Sequence, residues 1–209
     1  GIVITTGEKV INIYYTKVIG LSYTVNYLEK DTNEVIHEPK TTDNMIFENE
    51  ITSSDEVIEI DGYDYDSVDK EKLIIGTGEN VINIYYTKRI DLEYEVNFLE
   101  KGTNKVLSKM KIKKGLKFKD IVKSSDEIIE IDGYNFSDVD KDILEILTSG
   151  NVLNIYYTKR EDVSYKVNYL EKGTNQVLHE QKVQENMTFE SIIKASDEVL
   201  DIYGYNYDS

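Results

Sequence analysis

YEVNFLEKGTNKVL, residues 94–107, is the stretch on which the reading of the fold turns. Tyr94, Val96 and Phe98 fall on one face and Glu95 and Asn97 on the other, the period of a half-buried strand. The EKGTN that follows reads as a hairpin connection, since Gly102 takes a left-handed backbone at no steric cost. KVLSKMKIKK, residues 105–114, returns as an edge strand. The stretch recurs as YTVNYLEKDTNEVI from Tyr23 and YKVNYLEKGTNQVL from Tyr165, a step of 71 residues each time. INIYYTK at Ile11 and Ile82 and LNIYYTK at Leu153 keep that interval, as do IDGYDY, IDGYNF and IYGYNY from Ile60, Ile131 and Ile202. A period without slippage means one unit copied in tandem. Copying serves reach and avidity better than it serves a single active site.

Beyond the hairpin the period changes. Phe118, Ile121 and Val122 stand at i, i+3 and i+4, which predicts a short helix. The third copy has Phe189, Ile192 and Ile193 there, with Thr188 as N-cap. Glu50 interrupts the stripe in the first copy and predicts the weakest helix of the three. EIIEIDGYNF reads as a strand ending in a turn at Gly133, and ILEIL and NVLNIYYTK supply two more strands. Strand, strand, helix, strand, strand, strand is an α+β order. The simplest burial scheme lays one helix across a small mixed sheet, the β-grasp (ubiquitin-like) arrangement. Its first and last strands lie parallel at the sheet centre, aligning Tyr94, Val96 and Phe98 with Leu153, Ile155 and Tyr157 beneath the helix.

Composition narrows the class. Of 209 residues, 40% are apolar and 17 are tyrosine, too many for a disordered tail. The absence of cysteine excludes disulfides, thiolate metal sites and thiol nucleophiles. No apolar run approaches the ~20 residues of a membrane span, and no signal peptide is recognisable. A formal charge of -16 disfavours nucleic acid and anionic membranes as partners. That charge is uneven. Residues 18–88 hold 5 basic against 16 acidic residues, a net of -11, whereas residues 89–159 hold 12 against 13, a net of -1.

The frame Y-x-V-N-Y-L-E-K-G-T-N-x-V-L, then I-x-G-Y-x-Y, then N-V-x-N-I-Y-Y-T-K resembles the MucBP (mucin-binding protein) repeat of Gram-positive surface adhesins. The β-grasp repeats of internalin-like surface proteins are the near alternative. The resemblance implies tandem β-grasp units in a cell-wall-attached, extracellular protein with a cell-adhesion or spacer role. In that phase residues 1–19 are the last two strands of a preceding repeat, and 20–90 and 91–161 are whole repeats. Residues 162–209 are then a repeat without its final strands, and the chain reads as a segment of a longer protein. Ile2 to Ile4 and Val10 to Tyr15 of one molecule are candidates to complete that third repeat in another, head to tail. A different phase, from Ile2 to about Ser67, gives three whole units instead.

Candidate sites are few. His37 and His179 share one repeat position without a nucleophile, so no catalytic residue and no cofactor is expected. Gly76-Thr77-Gly78 lacks the ending of a phosphate loop and reads as a turn. Asp61, Asp64, Asp66 and Asp69 could attract Ca²⁺ but lack EF-hand spacing, so a solvated acidic loop is expected and no metal. Asn26, Asn83 and Tyr85, with Asn97, Asn154 and Tyr156, should share the uncovered sheet face. There they suit either sugar hydroxyls and apolar sugar faces or a structural ladder. Lys109, Lys111, Lys113, Lys114, Lys117, Lys119 and Lys123 form a basic run in the middle copy, opposite Glu38, Asp43, Glu180 and Glu185 elsewhere. It is either a charge match to a neighbouring repeat or a dock for sulfated or sialylated glycans. The expected function is a non-enzymatic adhesin segment, a spacer and candidate binder of mucin or host glycoprotein. The alternatives are a stalk with no ligand or the tethering repeats of a surface enzyme.

Overall fold

The computed structural model describes residues 3–208; Ile2, the first residue of the strand expected at 2–4, lies outside them. The chain divides into two compact units, Gly1–Ile90 and Asp91–Ser209. In the first, β1 (Ile19–Glu29), β2 (Val35–Ile46), β4 (Tyr63–Val68) and β6 (Val81–Lys88) form a sheet in the order β2-β1-β6-β4. The central pair is parallel and in register, Val25 beside Ile82 and Tyr27 beside Ile84. β3 (Glu50–Thr52) and β5 (Lys72–Ile74) make a separate two-stranded ladder.

The second unit repeats the plan. β7 (Leu92–Glu100), β8 (Val106–Leu116), β10 (Tyr134–Val139) and β12 (Val152–Lys159) form the sheet β10-β12-β7-β8. Its central pair is again parallel, Val96 beside Leu153 and Phe98 beside Ile155. β9 (Ile121–Lys123) and β11 (Ile143–Glu145) pair separately. β13 (Val163–Leu170) and β14 (Val177–Met187) form a two-stranded sheet from the third copy.

The expected helix is not there. The protein is mostly β, and among the described residues the only helical segments are the 3-10 turns Ser53–Glu56, Ser124–Glu127 and Ala195–Glu198. The α+β, helix-on-sheet β-grasp reading is therefore wrong. At the Phe118 stripe, Lys119 takes φ +67° and the Asp120 carboxylate accepts the Lys117 N–H, a tight turn that no α-helix can enter. Ile121 and Val122 then enter β9, where β-branched side chains are at ease, and Ile121 is exposed. Glu48 and Glu190 take the same positive φ in the other copies, so Glu50 does not weaken a helix and Thr188 caps none. The strand expected before Gly133 also lies elsewhere, for β10 begins after it.

What replaces the helix is a layer of short pieces. Tyr23, Val25, Tyr27, Ile82, Ile84 and Tyr86 bury one sheet face beneath Leu73 and Ile75, with Ile51, Val57, Ile58 and Ile60 packed against them. Burying each such side chain stabilises by about 1.5–3 kcal/mol. Val57 to Ile60 lies outside any strand, so its backbone polar groups need partners from side chains. Tyr86 supplies one set: its hydroxyl accepts the Ile58 N–H at 3.2 Å and donates to the Ile58 carbonyl at 2.9 Å. Tyr157 does the same for Ile129. Residues 3–18 form no strand, and Ile11, Ile13 and Tyr15 are exposed.

Candidate functional site

The two glycan-site candidates are amide relays. Parallel register sets Asn26 beside Asn83 and Asn97 beside Asn154. Asn26 Nδ2 donates to Asn83 Oδ1 at 2.9 Å, and Asn83 Nδ2 donates to Asp69 at 3.1 Å. Asn97 donates to Asn154 and Asn154 to Asp140, both at 3.0 Å. Each amide is thus held by its neighbour across the sheet. Tyr85 and Tyr156 lie half-buried opposite Ser67 and Asp138 on the adjoining strand.

The basic run is largely consumed within its own copy. Lys111 and Lys113 both reach Glu127, at 2.6 and 2.5 Å, and Lys114 meets Glu93 at 3.1 Å. Lys111 is not peculiar to the middle copy, since Lys40 and Lys182 hold the same place and pair with Glu56 and Glu198. Lys119 lies over the Phe118 ring, 5.6 Å from its centroid. Lys109, Lys117 and Lys123 make no ion pair among the described residues.

Glu127 went unnoticed in the sequence. It is 1% exposed, accepts the Tyr94 hydroxyl at 2.8 Å and sits between the two lysines. Burial alone would raise its carboxyl, but the hydrogen bonds from Lys111, Lys113 and Tyr94 outweigh that and hold it below the ordinary range. Tyr23–Glu56 and Tyr165–Glu198 repeat the pair, so the signal was a tyrosine and a glutamate 33 residues apart in every copy. Asn80 is a second omission. Its amide donates to the carbonyls of Ser22, Gly76 and Gly78 and accepts the Gly76 N–H, which pins the Gly76-Thr77-Gly78 loop. Asn151 does likewise for Leu147 and Glu93.

The acidic stretch disperses. Asp66 pairs with Lys30 at 2.7 Å, and Asp69 serves Asn83 and Lys70. Among the described residues no three His, Cys, Asp or Glu side chains converge as metal ligands. His37 and His179 are exposed and set edge-on to Tyr27 and Tyr169.

A recurring feature of a different kind lies at the joints. The Phe189 N–H donates to the Arg160 carbonyl at 2.8 Å, and Arg160 N–H donates to the Gly133 carbonyl at 2.9 Å. The Phe189 ring packs on Gly133 and meets Tyr134 edge-on at 5.6 Å. Glu190 then takes Lys159 at 2.9 Å and Lys105 at 3.3 Å. The first unit builds the same joint, with Phe47 N–H on the Val18 carbonyl at 2.9 Å and Glu48 on Lys17 at 3.0 Å. The turn that was expected to start a helix is thus the plug by which a copy seats on the residues before it.

The chain matches no model of a known protein family, and no curated protein is similar to it.

Proposed function

We propose that this chain is a non-enzymatic spacer segment of a Gram-positive surface adhesin, extracellular and attached to the cell wall. The repeat frame's resemblance to MucBP supports the setting. The joint supports the spacer role, because the same backbone bond and the same glutamate–lysine pair recur at Phe47–Glu48 and Phe189–Glu190. A unit that seats itself on its predecessor by fixed contacts gains reach with every copy. The asparagines proposed for sugars are engaged with one another and with aspartates, which argues against a sugar face. The test is binding of the purified chain to immobilised mucin at physiological salt. A spacer gives no saturable response.

A second reading rests on Lys109, Lys117 and Lys123, three lysines of the basic run that make no ion pair among the described residues. These would hold a sulfated or sialylated host glycan despite the overall charge, because screening confines that charge to ~8 Å. Saturable mucin binding that disappears in Lys109→Glu/Lys117→Glu would replace the spacer reading with this one.

A further inference from the structure

Two sheet edges of the second unit are open and carry opposite charge. β8 ends the sheet β10-β12-β7-β8 and β14 is joined only to β13, so each has a side with no strand beside it among the described residues. Each runs 11 residues. β8 leaves that side free in a copy whose sheet has all four strands, and β14 is its counterpart one period on. β2 is the third such edge, but it holds Pro39, the one proline of the chain, which has no N–H to give to an added strand. Met110 and Gln181 stand at that place in β8 and β14, and both keep the donor.

The charge reverses at two positions. Lys109 and Lys114 of β8 stand where β2 has Glu38 and Asp43 and β14 has Glu180 and Glu185. The lysine common to all three strands (Lys40, Lys111, Lys182) is engaged by the glutamate of its own copy. Lys109, Glu180 and Glu185 make no ion pair among the described residues. Lys114 meets Glu93 in an exposed pair, a kind that contributes little and is readily exchanged. Like edges repel, since β8 against β8 sets lysine on lysine and β14 against β14 sets glutamate on glutamate. Unlike edges match. The interval between the two charges is the same on each strand, so an antiparallel arrangement, the more stable kind, brings Lys109 to Glu185 and Lys114 to Glu180 at once. It also draws Ile112 and Val183, 44% and 48% exposed, into the seam.

We propose that β8 of one molecule takes β14 of a second copy of the chain as an antiparallel neighbour, joining the two side by side. The two edges lie at different places on the chain, so each molecule of a pair keeps one of them for a further partner. The joints of the spacer reading run along one chain, whereas this seam runs between chains and does not depend on them.

Exchanging the charges tests the pairing. A Lys109→Glu/Lys114→Glu chain has two acidic edges, and a Glu180→Lys/Glu185→Lys chain has two basic ones. In sedimentation velocity at low salt the unmodified chain is expected to gain mass with concentration. Each variant alone is expected to associate at least tenfold more weakly, and an equimolar mixture of the two to regain what each has lost. Met110→Pro, which places the first copy's residue in β8, separates a paired strand from a contact of charges alone. It removes a backbone donor and is expected to weaken association at least tenfold as well. An unmodified chain that stays monomeric, a mixture that does not recover, or association indifferent to Met110→Pro overturns the proposal. So does a chain that remains monomeric while β8 binds heparin, with that binding lost in Lys109→Glu/Lys114→Glu, for the edge is then a polyanion site.

Discussion

The Phe189 ring occupies the space a side chain on Gly133 would need: a Cβ there would stand 2.4 Å from ring carbons of Phe189. Gly133 also has φ +76°, where a Cβ is strained on its own account. Gly102, at φ +85° with nothing within 4 Å, carries the strain without the contact.

Gly133→Ala is therefore expected to cost roughly 1–3 kcal/mol more than Gly102→Ala, the added cost of overpacking. The site of the damage is also defined. Hydrogen exchange at the Phe189 amide, which donates to Arg160, should accelerate in Gly133→Ala and stay unchanged in Gly102→Ala.

Glu127 gives the protein an acid-sensitive point. Its folded carboxyl lies below the ordinary value of 4.5, so the stabilisation is complete above that value and drains as pH falls through the lower folded one. Glu127→Gln should lower stability by roughly 1–3 kcal/mol at neutral pH, the cost of weakening a buried, charge-assisted network. Urea melts at several pH values between neutrality and about pH 3 should show a shallower acid decline for the variant than for the parent. Lys113→Thr, which restores the residue at the same place in the first copy, should cost less than about 1 kcal/mol, since that lysine is half exposed.

Asn80 ties the Gly76 N–H and the Gly76 and Gly78 carbonyls of a loop that has no strand of its own to the Ser22 carbonyl of β1. Asn80→Ala should destabilise the first unit by about 1–3 kcal/mol, because a buried amide is removed and four part-buried hydrogen bonds go with it. Thermal unfolding of Asn80→Ala and Asn151→Ala should show similar losses, and the double variant should be additive if the two loops are independent.

Asn83→Asp places a carboxylate where an amide now donates to Asp69. Repulsion and the lost donor should lower the melting temperature of the first unit near neutral pH. Part of that loss should return on acidification, as one carboxylate of the new pair takes up a proton. A calorimetric scan at two pH values measures both.

The strands were legible because Tyr94, Val96 and Phe98, like Leu153, Ile155 and Tyr157, alternate without interruption; their parallel pairing was expected only from the β-grasp arrangement, and β7 and β12 do pair in that way. The helix was misread for a specific reason. Phe118, Ile121 and Val122 satisfy a helical stripe, yet the residue after the phenylalanine adopts a left-handed backbone as Glu48, Lys119 or Glu190, types that announce no turn. The clue lay in Asn49 and Asp120, whose side chains accept N–H groups three residues earlier. The buried glutamate was hidden by its company. Ser-Asp-Glu reads as a polar loop, and only the tyrosine and lysine brought in by distant strands make Glu127 part of the interior. The lysine run showed its charges in sequence and its neutralising partners only in three dimensions.

Plug and socket are halves of the same 71-residue text. The second copy contributes Gly133, Lys159 and Arg160 as the seat for Phe189 and Glu190, while the first presents its own Phe47 and Glu48 to Lys17 and Val18. A gene that gains or loses one whole repeat by recombination therefore keeps matched ends wherever the crossover falls, provided the period is kept. Length becomes a heritable variable that can drift or be selected without a new interface having to be invented each time.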